Sequence, residues 1–240
     1  MIGIVGYGRF GKLMARYLSE DFTVRVYRRR EGDPEPWETR IAFDDLDGVC
    51  RLPLVILAVP ISAMASVLAQ VAPRLRDDAL VADVCSVKTL PIQWMREALP
   101  ASVSILATHP MFGPDSAADS LRDRKVVLCR ERVPERLYRK IKSYLSGKGL
   151  RLIETTADEH DRQIAVSLAL THTIGRALSA FGAGELPIDT EGYRRLLHIL
   201  GVVEHDTWQL FQDMNAYNPY AAQARSNFLR VLEEIHRKLP

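Results

Sequence analysis

The stretch Thr108-His109-Pro110-Met111-Phe112-Gly113-Pro114-Asp115 places a histidine on a short loop rich in glycine and proline. An imidazole titrates near neutral pH, so His109 can take a proton from a substrate hydroxyl as a general base. A second chemical group stands at the chain start. Gly6-Tyr7-Gly8-Arg9-Phe10-Gly11 is a full G-x-G-x-x-G between an apolar run and a helical pattern. In that setting Gly6 permits a tight turn, Gly8 lets a pyrophosphate approach the backbone, and Gly11 allows close helix–strand packing. The helix start, with Tyr7, Arg9 and Phe10 between the glycines, supplies free amides for phosphates. A nicotinamide that accepts a hydride needs a partner for the proton, and His109 is the candidate.

The end of the second predicted strand selects the cofactor. Enzymes that use NAD place an acid there to hold the ribose 2′-hydroxyl. Here Tyr27-Arg28-Arg29-Arg30 carries no acid before Glu31. Guanidinium forks suit a 2′-phosphate, so NADP is expected, held by Arg28 and Arg29. Leu57-Ala58-Val59-Pro60 closes the next buried strand. Val59 and Pro60 either line the nicotinamide side or only turn the chain. Asp83-Val84-Cys85-Ser86-Val87-Lys88 follows a further strand, at the carboxyl edge where open α/β sheets bind ligands. Ser86 is expected to orient the imidazole or bind the substrate oxygen. Lys88 either braces the loop or reaches a substrate carboxylate. Cys85 has no base placed beside it by sequence and is not expected to act as a nucleophile. Further on, His172 and Arg176 lie four apart on one helix face among Leu168, Leu170, Ile174 and Leu178. That cationic pair suits an anionic substrate or a salt bridge to the rest of the chain.

Periodicity gives the elements that must position these residues. Strands are predicted at Ile2–Val5, Thr23–Tyr27, Leu54–Val59, Leu80–Val84, Val103–Thr108, Lys125–Cys129 and Leu150–Glu154. Helices are predicted between them over Gly11–Leu18, Ile61–Val71, Pro91–Ala98 and Pro134–Leu145. The alternation predicts an α/β fold over residues 1–154, a Rossmann-type doubly wound, mostly parallel sheet. Residues 155–240 show no strand pattern and are expected to form a small all-helical domain for substrate binding and dimerisation. Thr156-Ala157-Asp158-Glu159 is a capping box for a helix over Asp158–Phe181 that stops at Gly182. The acids of Glu159-His160-Asp161 suit the dipole at its start. A second helix is predicted over Thr190–Asp213, and a third from Asn218-Pro219 to Lys238. Its stripe of Ala221, Ala224, Phe228, Val231, Leu232 and Ile235 is expected to pack in a homodimer, because three helices make a thin core.

Composition limits the partners. A net charge of +2 gives no field to recruit nucleic acid or an anionic membrane. No apolar run reaches the ~20 residues of a bilayer span, so neither partner is expected. No Cys or His pair has metal-ligand spacing, so no metal is expected. Cys50, Cys85 and Cys129 are odd in number and far apart, which suits the reducing cytoplasm. The first residues are cut by glycines and Arg9 and do not read as a signal peptide.

In this order the motifs resemble those of the prephenate and arogenate dehydrogenases of tyrosine biosynthesis. The carriers are the glycine-rich turn, Asp83–Lys88, Thr108–Asp115, Glu159-His160-Asp161 and Leu170-Thr171-His172-Thr173-Ile174-Gly175-Arg176. The resemblance covers the cofactor domain and the first tail helix. It implies a cyclohexadienol substrate with one carboxylate on the ring and a second on its side chain. His109 resembles the family histidine that engages the ring 4-hydroxyl, and Ser86 the serine that positions it. Hydride passes from C4 to the nicotinamide, the ring carboxylate leaves as CO2, and aromatisation drives the step. Asp115, His172 and Arg176 would surround the polar groups of the substrate.

The Phe-Gly of the turn, the arginines after the second strand and the Thr-His-Thr-Ile-Gly-Arg helix resemble the NADP-using arogenate branch. That predicts arogenate as substrate and tyrosine as product. Met-Phe-Gly-Pro-Asp-Ser also resembles the prephenate enzymes fused to chorismate mutase. A 4-amino-4-deoxyprephenate dehydrogenase would keep the same cofactor site. Gln209, before Leu210-Phe211, occupies the place where some prephenate enzymes carry an arginine, which leaves Arg176 or Arg225 for the ring carboxylate. The alternative outside enzymes is a dinucleotide-sensing protein.

Overall fold

The computed structural model describes residues 1–29, 36–203 and 206–240, so Arg30 and Glu31 of the strand-two exit lie outside the described residues. The chain divides into two compact units, Met1–Ala157 and Asp158–Pro240.

The first unit holds β1 (Ile2–Val5), β2 (Val24–Tyr27), β3 (Ile41–Phe43), β4 (Leu54–Leu57), β5 (Leu80–Asp83), β6 (Ser104–Pro110), β7 (Lys125–Arg132) and β8 (Arg151–Glu154). They form one sheet in the order β3-β2-β1-β4-β5-β6-β7-β8. Strands β1 to β6 run parallel, and β7 pairs antiparallel to β6 through Thr108↔Leu128 and His109↔Val127. Strands β1 to β6 therefore deliver their carboxyl ends to the edge where the glycine turn and Ser86 follow and where His109 stands near the end of β6. The strand order reverses direction between β1 and β4, the switch point at which such sheets leave a crevice. Continuous apolar runs such as Leu80-Val81-Ala82 form strands here because both faces are covered.

Among the described residues, the α-helices that flank the sheet are α1 (Arg9–Leu18), α2 (Leu46–Cys50), α3 (Met64–Val71), α4 (Thr89–Ala98) and α5 (Glu135–Gly147). On α1, Gly11, Leu13 and Ala15 are buried, while Arg9 stays at the surface. Asp45 caps α2 by accepting from the Gly48 amide at 2.7 Å. Strand β3 and helix α2 are absent from the sequence reading. Three residues on a half-exposed edge carry no alternation, and pairing with β2 through Val24↔Ile41 is what makes β3 a strand. The sheet face by α1 and α5 carries an apolar cavity of about 400 Å³, lined among others by Phe10, Leu13, Ala82, Leu106, Phe112 and Ile141.

The second unit is helical. α6 (Ala157–Ile164) continues through a π-helical turn at Ala165–Leu170 into α7 (Thr171–Phe181). Gly182, with φ +83°, ends it, and the Ala183 amide returns to the Leu178 carbonyl at 3.0 Å. By length and composition alone this 25-residue stretch is apolar enough to cross a membrane. The continuous apolar runs within it stay short, because His172 and Arg176 interrupt them. The stretch packs on α8 (Glu191–Val203), α9 (Trp208–Ala216) and α10 (Ala221–His236). The helix predicted over Thr190–Asp213 is broken, with residues 204 and 205 outside the described residues. Thr207 starts a new helix by accepting from the Leu210 amide at 3.1 Å. The third helix begins past Pro219, where Asn218 Oδ1 accepts from the Tyr220 amide at 2.9 Å.

Candidate active site

The glycine turn is shaped as its sequence demands. Gly6 has φ +106°, and a Cβ there would lie 2.2 Å from the Ala58 carbonyl oxygen. A Cβ on Gly11 would lie 2.3 Å from the Gly6 oxygen, whereas one on Gly8 would meet nothing within 4 Å. The chain is thus tight beneath the turn and open above it, the side from which a pyrophosphate approaches. Helix α1 has Gly8 as its N-cap, no capping side chain and no acid in its first turn, so its leading amides suit an anion. Val59 packs on this turn, 3.0 Å from where a Cβ on Gly6 would stand, and the exposed Pro60 follows it.

Arg28 leaves β2 and stacks on Phe43, 3.7 Å from guanidinium to ring centre, with Tyr7 at 6.0 Å. Lys12 also lies over the Tyr7 ring, at 5.6 Å, and the Tyr7 hydroxyl donates to Glu38 at 2.7 Å. Arg29 is exposed beside it. Two cations on one aromatic post and a third at the strand exit fit a phosphorylated ribose.

Ser86 follows β5, while His109, expected on a loop, lies within the last residues of the adjacent β6, two residues past the register pair Asp83↔Ala107 and opposite Val127 of β7. His109 is buried at 6% exposure, and the Ser86 hydroxyl oxygen is buried without a hydrogen-bond partner. A buried hydroxyl without a partner costs free energy unless something completes it, which a substrate oxygen would do. Lys88 corrects the expectation of a substrate contact. Its side chain is fully buried, and its ammonium donates to Asp83 Oδ2 and, at 2.5 Å, to the Thr108 carbonyl. Of the two readings, it is the brace. Asp115, expected near the substrate, is instead gripped by both oxygens at 2.6 and 2.7 Å from Arg9 Nη2. The nearest guanidinium lies on the cofactor helix, so Asp115 ties the histidine loop to the glycine turn. Tyr17 adds to that strap by donating to the Ala117 carbonyl at 2.8 Å, and Phe10 lies 6.1 Å from the Phe112 ring.

In the second unit, His172 and Arg176 do share a region, but not as a cationic pair. Burial, the largest cause, lowers the His172 pKa; Arg176 lowers it further, and Asp206, 3.6 Å away, opposes the fall. Its ring is neutral at pH 7 and its Nδ1 is buried without a partner. Of the two, Arg176 supplies the positive charge. Its Nη2 donates to the Asp206 carbonyl at 2.5 Å, and its guanidinium lies over Trp208 at 5.3 Å and Phe211 at 5.5 Å. Gln209 donates to the buried Asp213 at 2.6 Å, and Arg225 donates to Asn215. His160 is buried against Asp161 at 2.8 Å, and Asn218 donates to the Asp161 carbonyl at 2.8 Å, a local brace of the helix start. Sequence reasoning missed Asp83, Phe43, Asp206 and Trp208. Only Asp83 left a trace, as a carboxylate ending an otherwise apolar strand.

Comparison with known proteins bears on this arrangement. The family model for the nucleotide-binding domain of prephenate dehydrogenase matches residues 39–154, and one for the TYRAAT1-like C-terminal domain matches residues 177–240. Arogenate dehydrogenase 1, chloroplastic, of Arabidopsis thaliana is 32% identical over 99% of this chain and 39% of its own length. Cyclohexadienyl dehydrogenase of Zymomonas mobilis is 30% identical over 76% of this chain and 67% of its own. The crystal structure of prephenate dehydrogenase from A. aeolicus, in complex with hydroxyphenyl propionate and NAD+, shares the fold at TM-score 0.73 and 18% identity, covering 98% of this chain and 88% of that one. The chain spans about two fifths of the first relative and two thirds of the second. On these matches the chain belongs to the prephenate and arogenate dehydrogenase family.

Proposed function

We propose that this chain carries out the NADP-dependent oxidative decarboxylation of arogenate to tyrosine. The observation that carries the reading is the buried, partnerless Ser86 hydroxyl on the strand end beside that of His109. His109 takes the proton of the ring 4-hydroxyl while hydride leaves C4, and Ser86 holds that oxygen. The bound nicotinamide supplies the hydride acceptor. Its phosphates suit the amides of Gly8 to Gly11, and its 2′-phosphate suits Arg28 and Arg29, which favours NADP over NAD. Arg176, with His172 as a neutral hydrogen-bonding neighbour, takes a substrate carboxylate. Neither Gln209 nor Arg225 is needed for that charge. Asp115 acts on the substrate only through the loop that it fixes to Arg9.

Arogenate is preferred because the Arabidopsis relative bears that name, alongside the turn and helix motifs. Prephenate is the second reading, favoured by the Met-Phe-Gly-Pro-Asp-Ser loop. A dinucleotide sensor would have no use for a desolvated Ser86 beside a buried His109. The second unit takes the substrate-binding and dimer-forming part. On α10, Leu229, Leu232 and Ile235 are each more than half exposed, a face suited to a second copy of the chain. Three free, buried cysteines support a reducing compartment such as the cytoplasm.

The test is His109→Asn. Turnover is expected to fall by roughly 10²–10⁴-fold, the range for losing a general base, with NADP affinity unchanged. A variant that keeps full turnover removes His109 from the chemistry.

A further inference from the structure

Asp83 and Lys88 form an ion pair that the proposed chemistry does not use. Neither side chain has any exposure. Such pairs are seldom kept for stability alone, since apolar replacements of similar volume often serve as well. Their bonds show what this one does. Asp83 Oδ2 accepts from Lys88 Nζ and from the Cys85 amide at 2.9 Å. Asp83 Oδ1 accepts from the Thr108 amide at 3.3 Å, and the Asp83 carbonyl accepts from Thr108 Oγ1 at 2.6 Å. Lys88 then closes the ring by donating to the Thr108 carbonyl at 2.5 Å. One carboxylate thus holds the residue before Ser86 and the residue before His109.

These bonds begin where the β5–β6 ladder stops, at Asp83↔Ala107. Beyond that point β6 runs on to Pro110 paired with β7, so the additional bonds tie the Ser86 loop to the end of β6 that carries His109. Ser86 has no bond of its own hydroxyl to hold it. Its place is set by the backbone on either side, which Cys85 and Lys88 anchor.

We propose that the Asp83–Lys88 pair is a positioning device that sets His109 against Ser86 by fixing the Ser86 loop and the end of β6 to one buried carboxylate. The proposal rests on the acid–base role given to His109. Lys88→Met, the double change Asp83→Asn with Lys88→Met, and Thr108→Val separate positioning from support. Lys88→Met leaves a lone buried charge and should lower the thermal midpoint. The double variant should recover the midpoint and bind NADP within threefold of the parent, yet lose roughly 10- to 100-fold in kcat, as small misplacements do. Thr108→Val, which strands no charge, should lose several-fold in kcat at unchanged NADP affinity. The His109 C2 proton resonance, assigned with His109→Asn, should be displaced in both.

Parental kcat with an unmoved His109 resonance, in either folded variant, overturns the proposal. Should the double variant fail to fold, Thr108→Val decides by the same two readings. Should the parent turn over no cyclohexadienol, the functional reading fails, and the resonance alone still decides whether the pair positions His109.

Discussion

His172 shows how burial changes what a residue can do. Spacing four apart from Arg176 suggested two positive charges, but helical spacing carries no information about desolvation. With its pKa held below the usual 6.5 by burial, the ring is a neutral donor and acceptor at pH 7. Among the described residues, Asp206 and Arg176 are the charged groups acting on it. The unfolded chain binds this proton more readily than the folded one. Stability is therefore complete above about pH 6.5 and declines as the pH falls through and below it. Thermal midpoints taken between pH 7.5 and 5.5 should fall less in His172→Gln than in the parent. Equal falls would show that the ring does not titrate out of a buried site. The same distinction separates the residues that were legible from those that were not. His109 and Ser86 were singled out by type and by place at strand ends. Lys88 was left with two meanings, because a lysine after a strand reads alike whether it folds inward or outward. Asp83, closing an apolar strand, was the residue that decided it.

The proposed choice of NADP rests on the element at the exit of β2. The arginines were visible in the sequence. The platform under Arg28 was not, since Phe43 belongs to an edge strand of three residues that exists only through pairing with β2. Replacing both Arg28 and Arg29 by Gln should weaken NADP binding by roughly a hundredfold, as for two charge-assisted contacts of about 1.5 kcal/mol each. NAD binding should stay within a few-fold. An equal loss for both cofactors would place these arginines away from the 2′-phosphate. Helix ends were less legible than helix faces. The run from Thr190 hid a break because its apolar period continues past Thr207, whose hydroxyl is bonded locally to the Leu210 amide.

At the scale of the whole molecule, the helical unit has too little core for its surface. Its buried cluster is Ala169, Met214 and Ala221, while Leu229, Leu232 and Ile235 stay exposed along α10. Of the stripe read from the sequence, only Ala221 is buried within this chain. These side chains are about half exposed, so covering each would contribute roughly half of the ~1.5–3 kcal/mol for burying a Leu or Ile fully, counted on both chains. Sedimentation should give the mass of a dimer for the parent and of a monomer for Leu229→Glu with Leu232→Glu. A monomeric parent would end the dimer proposal and leave that face to another partner.

The central claim is the reaction itself. The direct measurement is the appearance of reduced nicotinamide with arogenate and with prephenate, each offered NADP and NAD. Turnover of arogenate with NADP, well above the other three mixtures, is the predicted result. Cofactor binding with no turnover in any of the four mixtures would contradict it.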